Sequence, residues 1–165
     1  MKVFVTCCYP GIAIHLSLFQ PFHMPVTIPP EKIKEIAGYL DAGMNCFYHI
    51  KTGEIEYYPE NMNDEEIWQE VIDKVEEHYD EYVSFTGFES HESFEMMEDF
   101  ISTITNKTIR VKFENIIQRR KPFQQFKNLL LDYPDLRQQW FLYKDGRFIE
   151  YVKEQLDAFN NTYPN

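Results

Sequence analysis

The stretch from residue 45 to residue 58 constrains the fold of this chain most. Two β-prone runs, Asn45-Cys46-Phe47-Tyr48-His49-Ile50 and Glu54-Ile55-Glu56-Tyr57-Tyr58, are joined through Lys51-Thr52-Gly53. Gly53 can supply the positive φ of a tight connection, so the pair predicts an antiparallel hairpin. Helical periods surround it. Pro29 and Pro30 stand where a helix can begin without proline's missing N–H, and Ile33, Ile36, Ala37 and Leu40 follow at helical spacing, predicting a helix over 30–41. Asn63 or Asp64 can cap a second helix. Its apolar stripe of Ile67, Trp68, Val71, Ile72 and Val75 opposes Glu65, Glu66, Glu70, Asp73, Glu76 and Glu77, and is expected to lie on the hairpin.

Tyr82-Val83-Ser84-Phe85-Thr86 is β-branched and aromatic and ends at Gly87, which predicts a third strand. From Ser90 the period is helical again, with Phe94, Met97, Ile101 and Ile104 on one face and Glu92, Glu95, Glu98 and Asp99 near the start, where the helix dipole favours acids. Further helices are expected at 107–118, 122–132 and 134–158. Pro122 and the Tyr133-Pro134 step separate them, because the residue before proline is pushed out of the α region. Gly146 is a point where the last helix could break. The fold class that results is α+β, predominantly helical, with a small antiparallel hairpin sheet of two or three strands.

A chain of 165 residues fits one ordinary domain. With 44% apolar residues, including 14 Phe and 11 Tyr, its core can be aromatic. The cysteines, Cys7, Cys8 and Cys46, are odd in number and two are adjacent, which is poor geometry for a disulfide and fits a reducing, cytoplasmic setting. No apolar run reaches the roughly 18–20 residues that cross a bilayer, so a membrane is not an expected partner. Residues 1–23 lack helical or strand periodicity and are interrupted by Pro10, Gly11, His15 and Pro21. They are expected to be a non-native or disordered extension, with Met24 the natural start and 24–165 the α+β domain; the alternative is an ordinary N-terminal arm packed on that domain.

The common catalytic motifs are absent, since the glycines at 11, 38, 43, 53, 87 and 146 form no phosphate loop, dinucleotide fingerprint or nucleophile elbow. His91-Glu92-Ser93-Phe94-Glu95 starts like a zinc-protease helix but has Glu95 where the second His belongs. His91, Glu95 and Glu98 or Asp99 would share a helical face, which keeps a metal-dependent hydrolase as one alternative and a solvated acidic helix start as the other. Cys46 and His49 are three apart in a strand and point to opposite faces, so they cannot serve one site. No catalytic residue, metal ligand or cofactor is assigned.

Charge is divided unevenly: residues 1–105 hold 5 Lys/Arg against 20 Asp/Glu, whereas 106–165 hold 11 against 7. The two halves could attract each other within the fold, or the basic part could face a partner. Its centre is Arg119-Arg120-Lys121-Pro122-Phe123-Gln124-Gln125-Phe126-Lys127, where cations and aromatics interleave near a helix start, a setting suited to an anion. Arg119, Arg120, Lys121, Lys127 and Arg137 are the candidate binding residues. The competing reading makes Phe123, Phe126, Leu129 and Leu130 core and the cations a solvated or ion-paired corner. Leu136, Trp140 and Tyr143 likewise read as a core stripe with Arg137 and Lys144 outside.

These residues carry a resemblance. The segments NCFYHIKTGEIEYYPE, EMMEDFI and RRKPFQQFKNLLLDYPDLRQQWF resemble a bacterial family known as uncharacterised protein family 0158, over roughly Ile33 to Leu156. The family pattern has Thr-Gly-Glu with a following Tyr, a Met-Glu-x-Phe helix, a Gly-Arg-Gly-x-Phe-x-x-Phe-Lys step and a Leu-x-x-x-Trp helix. Here these become Thr52-Gly53-Glu54 with Tyr57, Met97 to Phe100, the 119–127 stretch, and Leu136 to Trp140. Arg119-Arg120-Lys121 replaces Gly-Arg-Gly, which puts in doubt any turn needing positive φ at the outer positions. The resemblance implies a bacterial cytoplasmic protein and supplies no activity. The expected function is a non-catalytic binding module that engages a protein or an anionic ligand through the hairpin and the 119–127 corner. Nucleic-acid binding by the basic half is the next alternative.

Overall fold

A computed structural model describes residues 25–61 and 65–162; the expected extension at 1–23 and the candidate caps Asn63 and Asp64 lie outside them. The described elements run α1 (Pro30–Asp41), β1 (Met44–His49), β2 (Ile55–Pro59), a 3-10 turn (Glu65–Ile67), α2 (Gln69–Glu77), a second 3-10 turn (Tyr79–Glu81) and β3 (Tyr82–Phe85). Then come α3 (Ser90–Thr103), α4 (Lys107–Ile117), α5 (Pro122–Leu130) and α6 (Pro134–Thr162). The fold is α+β and mostly helical, as the sequence predicts.

The hairpin forms where its turn chemistry places it. Gly53 has φ +73°, and its N–H donates to the His49 carbonyl at 2.9 Å. His49 closes the turn from within, its Nδ1 accepting the backbone N–H groups of Lys51 and Thr52 at 3.2 Å each. β1 is central, pairing antiparallel with β2 on one side and β3 on the other. Because successive side chains alternate faces, Cys46, Tyr48, Val83 and Phe85 turn into the main helical core, while Phe47, Tyr58 and Tyr82 meet Val75 of α2 on the other side. A small ribbon is marginal alone, and this one is covered on both faces.

Two expectations need correction. The second helix begins later than its stripe suggested: Ile67 ends a 3-10 turn and is 70% exposed, Trp68 is the first flanking residue, and of the stripe only Val75 is buried. Gly146 does not interrupt the last helix, which continues to Thr162. A mid-helix glycine costs about 1 kcal/mol relative to alanine. Trp140, Phe148, Val152 and Leu156, buried along one side of α6, offset that cost.

The core is aromatic where the helices converge. Phe126 of α5 sits 4.9 Å from the Trp140 ring, 5.5 Å from Phe113 and 6.2 Å from Phe100, in edge-to-face geometries that suit ring quadrupoles. One ring thus ties α5 to α3, α4 and α6. Helix α6 also fastens extended backbone with two side-chain amides. Gln155 accepts from the Thr86 N–H and donates to the Thr86 carbonyl, both at 3.0 Å, and Asn160 does the same for Val26 at 2.8 and 3.0 Å. Each amide satisfies a donor and an acceptor that have no ladder partner.

Candidate interaction surface

The α4–α5 turn presents the basic cluster. α4 closes with the Arg119 N–H donating to the Ile116 carbonyl at 3.2 Å, and α5 opens with Pro122 at its first position. Between them Lys121 has φ +58° and ψ +56°, the only non-glycine residue at positive φ among the described residues. This is the last position of the replaced Gly-Arg-Gly step, and here a lysine takes the left-handed conformation that glycine adopts freely. That conformation costs a side-chain-bearing residue about 1–2 kcal/mol. Lys121→Gly is therefore expected to raise unfolding free energy by about 1 kcal/mol, less the glycine's greater entropy when unfolded. Urea denaturation of the two proteins measures it.

Arg119, Arg120, Lys121 and Lys127 are all exposed, and none of their side chains makes an ion pair or hydrogen bond. The corner is thus solvated rather than ion-paired, one of the two forms the competing reading allows. On α5, Phe123, Lys127 and Leu131 follow at four-residue steps and share one outward stripe, with Leu131 63% exposed. Phe123, assigned to the core by the packing reading, is exposed instead, with its ring edge-on to Phe94 at 6.4 Å. Phe126 and Leu130 take the buried places.

Beyond Leu131 the stripe continues onto α6. A shallow depression of about 210 Å³ is lined by Leu131, Pro134, Arg137, Gln138 and Phe141. The Arg137 guanidinium lies over the Phe141 ring at 5.2 Å, an exposed cation–π contact. Lys144 approaches the same ring at 5.8 Å while pairing with Asp41 at 2.6 Å. Leu142 beside it is 67% exposed. Of the five candidate residues, Arg119 to Lys121 precede α5, Lys127 lies on its outward stripe, and Arg137 lines the depression past its other end. The hairpin packs on α1 and α2, whereas α5 packs on α4 and α6, so the hairpin is not part of this face.

Leu131, Phe141 and Leu142 were not identified as surface residues from sequence. A signal was present, because Trp140, Phe141 and Leu142 are consecutive on a helix and lie about 100° apart, so they cannot all face inward. Trp140 takes the core position.

The remaining candidates do not assemble. His91 is 3.4 Å from Glu89 through Nδ1, with both side chains mostly exposed. The helix start is capped locally, the Glu89 N–H donating to Glu92 at 2.8 Å. Among the described residues no group of three or more His, Cys, Asp or Glu side chains is placed to hold a metal ion. Cys46 is fully buried, and burial, reinforced by the field of Glu35, pushes its thiol up to about 12. It packs as a small apolar residue. His49 turns to the opposite sheet face, with Nε2 3.3 Å from Glu81 and its ring edge-on to Tyr82. Lys51 hydrogen-bonds the same Glu81 and holds its carboxyl below the usual range.

The family model described as "Uncharacterised protein family (UPF0158)" matches residues 23–163. The chain belongs to that family. Within UPF0158, a 66-residue stretch is 33% identical to "UPF0158 protein PA5073" of Pseudomonas aeruginosa, covering 40% of this chain and 43% of that protein. The match thus spans less than half of the relative's length. No solved structure matches. The UPF0158 description assigns no reaction or ligand, so the function of this member has to be argued from its surface.

Proposed function

We propose that this chain is a non-catalytic binding module whose α5–α6 face captures an acidic, apolar-bearing polypeptide, working in the bacterial cytoplasm. The observation that carries this reading is the set of exposed, unpaired cations Arg119, Arg120, Lys121 and Lys127, interleaved with exposed Phe123 and Leu131. Apolar patches rimmed by charge are the usual anatomy of an interface. Strain at Lys121 adds support, since the turn keeps a cation where glycine would be cheaper. The buried, unpaired Cys46 suits a reducing compartment. No helix among the described residues is long and apolar enough to cross a membrane. Nucleic acid is the less favoured ligand, because the exposed aliphatic Leu131 and Leu142 offer no contact suited to a phosphate backbone.

The test is fluorescence anisotropy with a labelled acidic helical peptide of about 20 residues, about 30 Å long, carrying Glu and Leu. Saturable binding at about 0.15 M salt that weakens as salt rises is expected. No binding of this peptide, or tighter binding of a single-stranded RNA of equal length, would overturn the reading.

A further inference from the structure

We propose that the acidic partner of this face is α2 of a second copy of the same chain, so that copies associate head to tail; this rests on the reading of the α5–α6 face given above. The chain carries both halves of such a contact. α2 and the turn before it expose Glu66, Glu70, Asp73, Glu76 and Glu77, none of which makes an ion pair. The one cation of α2, Lys74, is held by Glu56 of the sheet and does not neutralise that row. Two exposed apolar groups flank it, Ile67 before α2 and Tyr79 after it, at 70% and 61% exposure. Among the exposed large apolar residues, all except Val111 belong to one of the two oppositely charged faces.

Dimensions agree as well. From Phe123 to Leu131 the basic stripe is about 12 Å long, and from Glu70 to Glu77 the acidic row of α2 is about 11 Å, at 1.5 Å per residue. Within one molecule the two do not meet. Among the described residues, the only ion pair between the acidic first part and the basic second part is Lys144 with Asp41, which borders the α5–α6 face at Phe141 and involves none of the acids of α2. Different patches on the two partners make the contact heterologous, so a pair of copies keeps one free face of each kind. Two helix faces of this size bury well under about 1,200 Å², the range of transient complexes. The net charge of −11 repels copies at long range, but screening at about 0.15 M shortens that repulsion to about 8 Å and leaves the contact attraction.

Sedimentation velocity on the full chain at about 0.15 M salt, over a concentration series reaching about 1 mM, tests this. The mean mass is expected to rise above the monomer with concentration. R119Q/R120Q/K121Q and E70Q/D73N/E77Q, each shown to fold by circular dichroism, should each stay monomeric alone. Mixed in equal amounts they should form a dimer that grows no further, since only one complementary pair of faces survives. A monomeric wild type, a variant that still associates alone, or a mixture that stays monomeric would overturn the proposal. A wild type that stays monomeric yet binds the acidic peptide refutes only the identity of the partner; failure of both refutes the face as well.

Discussion

Phe126→Ala is expected to remove about 3–5 kcal/mol of stability, the range for truncating a fully buried phenylalanine. The loss should fall at the upper end because Phe126 is 2% exposed and its neighbours come from three other helices. Phe100, Phe113 and Trp140 all lose an edge-to-face partner at once, and long α6 cannot move inward to fill the space without disturbing its contacts with α1. A domain of this size loses about 2–4 °C of Tm per kcal/mol, so the melting temperature should drop by about 10 °C or more. Calorimetry checks it. A change under about 1 kcal/mol would mean that the aromatic junction does not organise the helical half.

R119Q/R120Q/K121Q should behave in the opposite way. Three exposed side chains without partners contribute little to folding, and the variant keeps a Cβ at the strained 121 position, so stability should stay within about 0.5 kcal/mol. Affinity for the acidic peptide should fall by about 3- to 100-fold, since exposed ion pairs contribute about 0.2–1 kcal/mol each and 1.4 kcal/mol is a factor of ten. Lys121→Gly separates the two effects within one residue, because it is expected to stabilise the turn while weakening the peptide complex. Chemical denaturation together with the anisotropy titration reads both quantities.

The fold was legible wherever a local rule decided the outcome. Pro30 and the spacing of Ile33, Ile36, Ala37 and Leu40 predict α1 to the residue, and Gly53 predicts the hairpin turn. The start of α2 was less legible because Ile67 and Trp68 fit a helical period on paper, while the chain there makes a 3-10 turn that leaves Ile67 outside. Tertiary packing also overrode the local penalty at Gly146. The amide clips of Gln155 and Asn160 join residues 69 and 134 positions apart, and no short-range pattern announces such pairs.

At the candidate surface the cations could be picked out from their density, but not their freedom from ion pairs, which depends on where the acids of the first part lie in space. Residue type also misassigned Phe123. An aromatic at helical spacing from Phe126 and Leu130 looks like core, yet its position on α5 turns it outward with Lys127 and Leu131. The same residues that blurred the sequence reading are the apolar part of the surface.

The most direct test of that surface is a two-dimensional amide NMR titration of the isotope-labelled chain with the acidic peptide. Shift changes concentrated in Arg119 to Leu131 and in Arg137 to Leu142, with the sheet and α1 unmoved, are the predicted result; changes centred on the sheet or α1, or no changes at all, would contradict it.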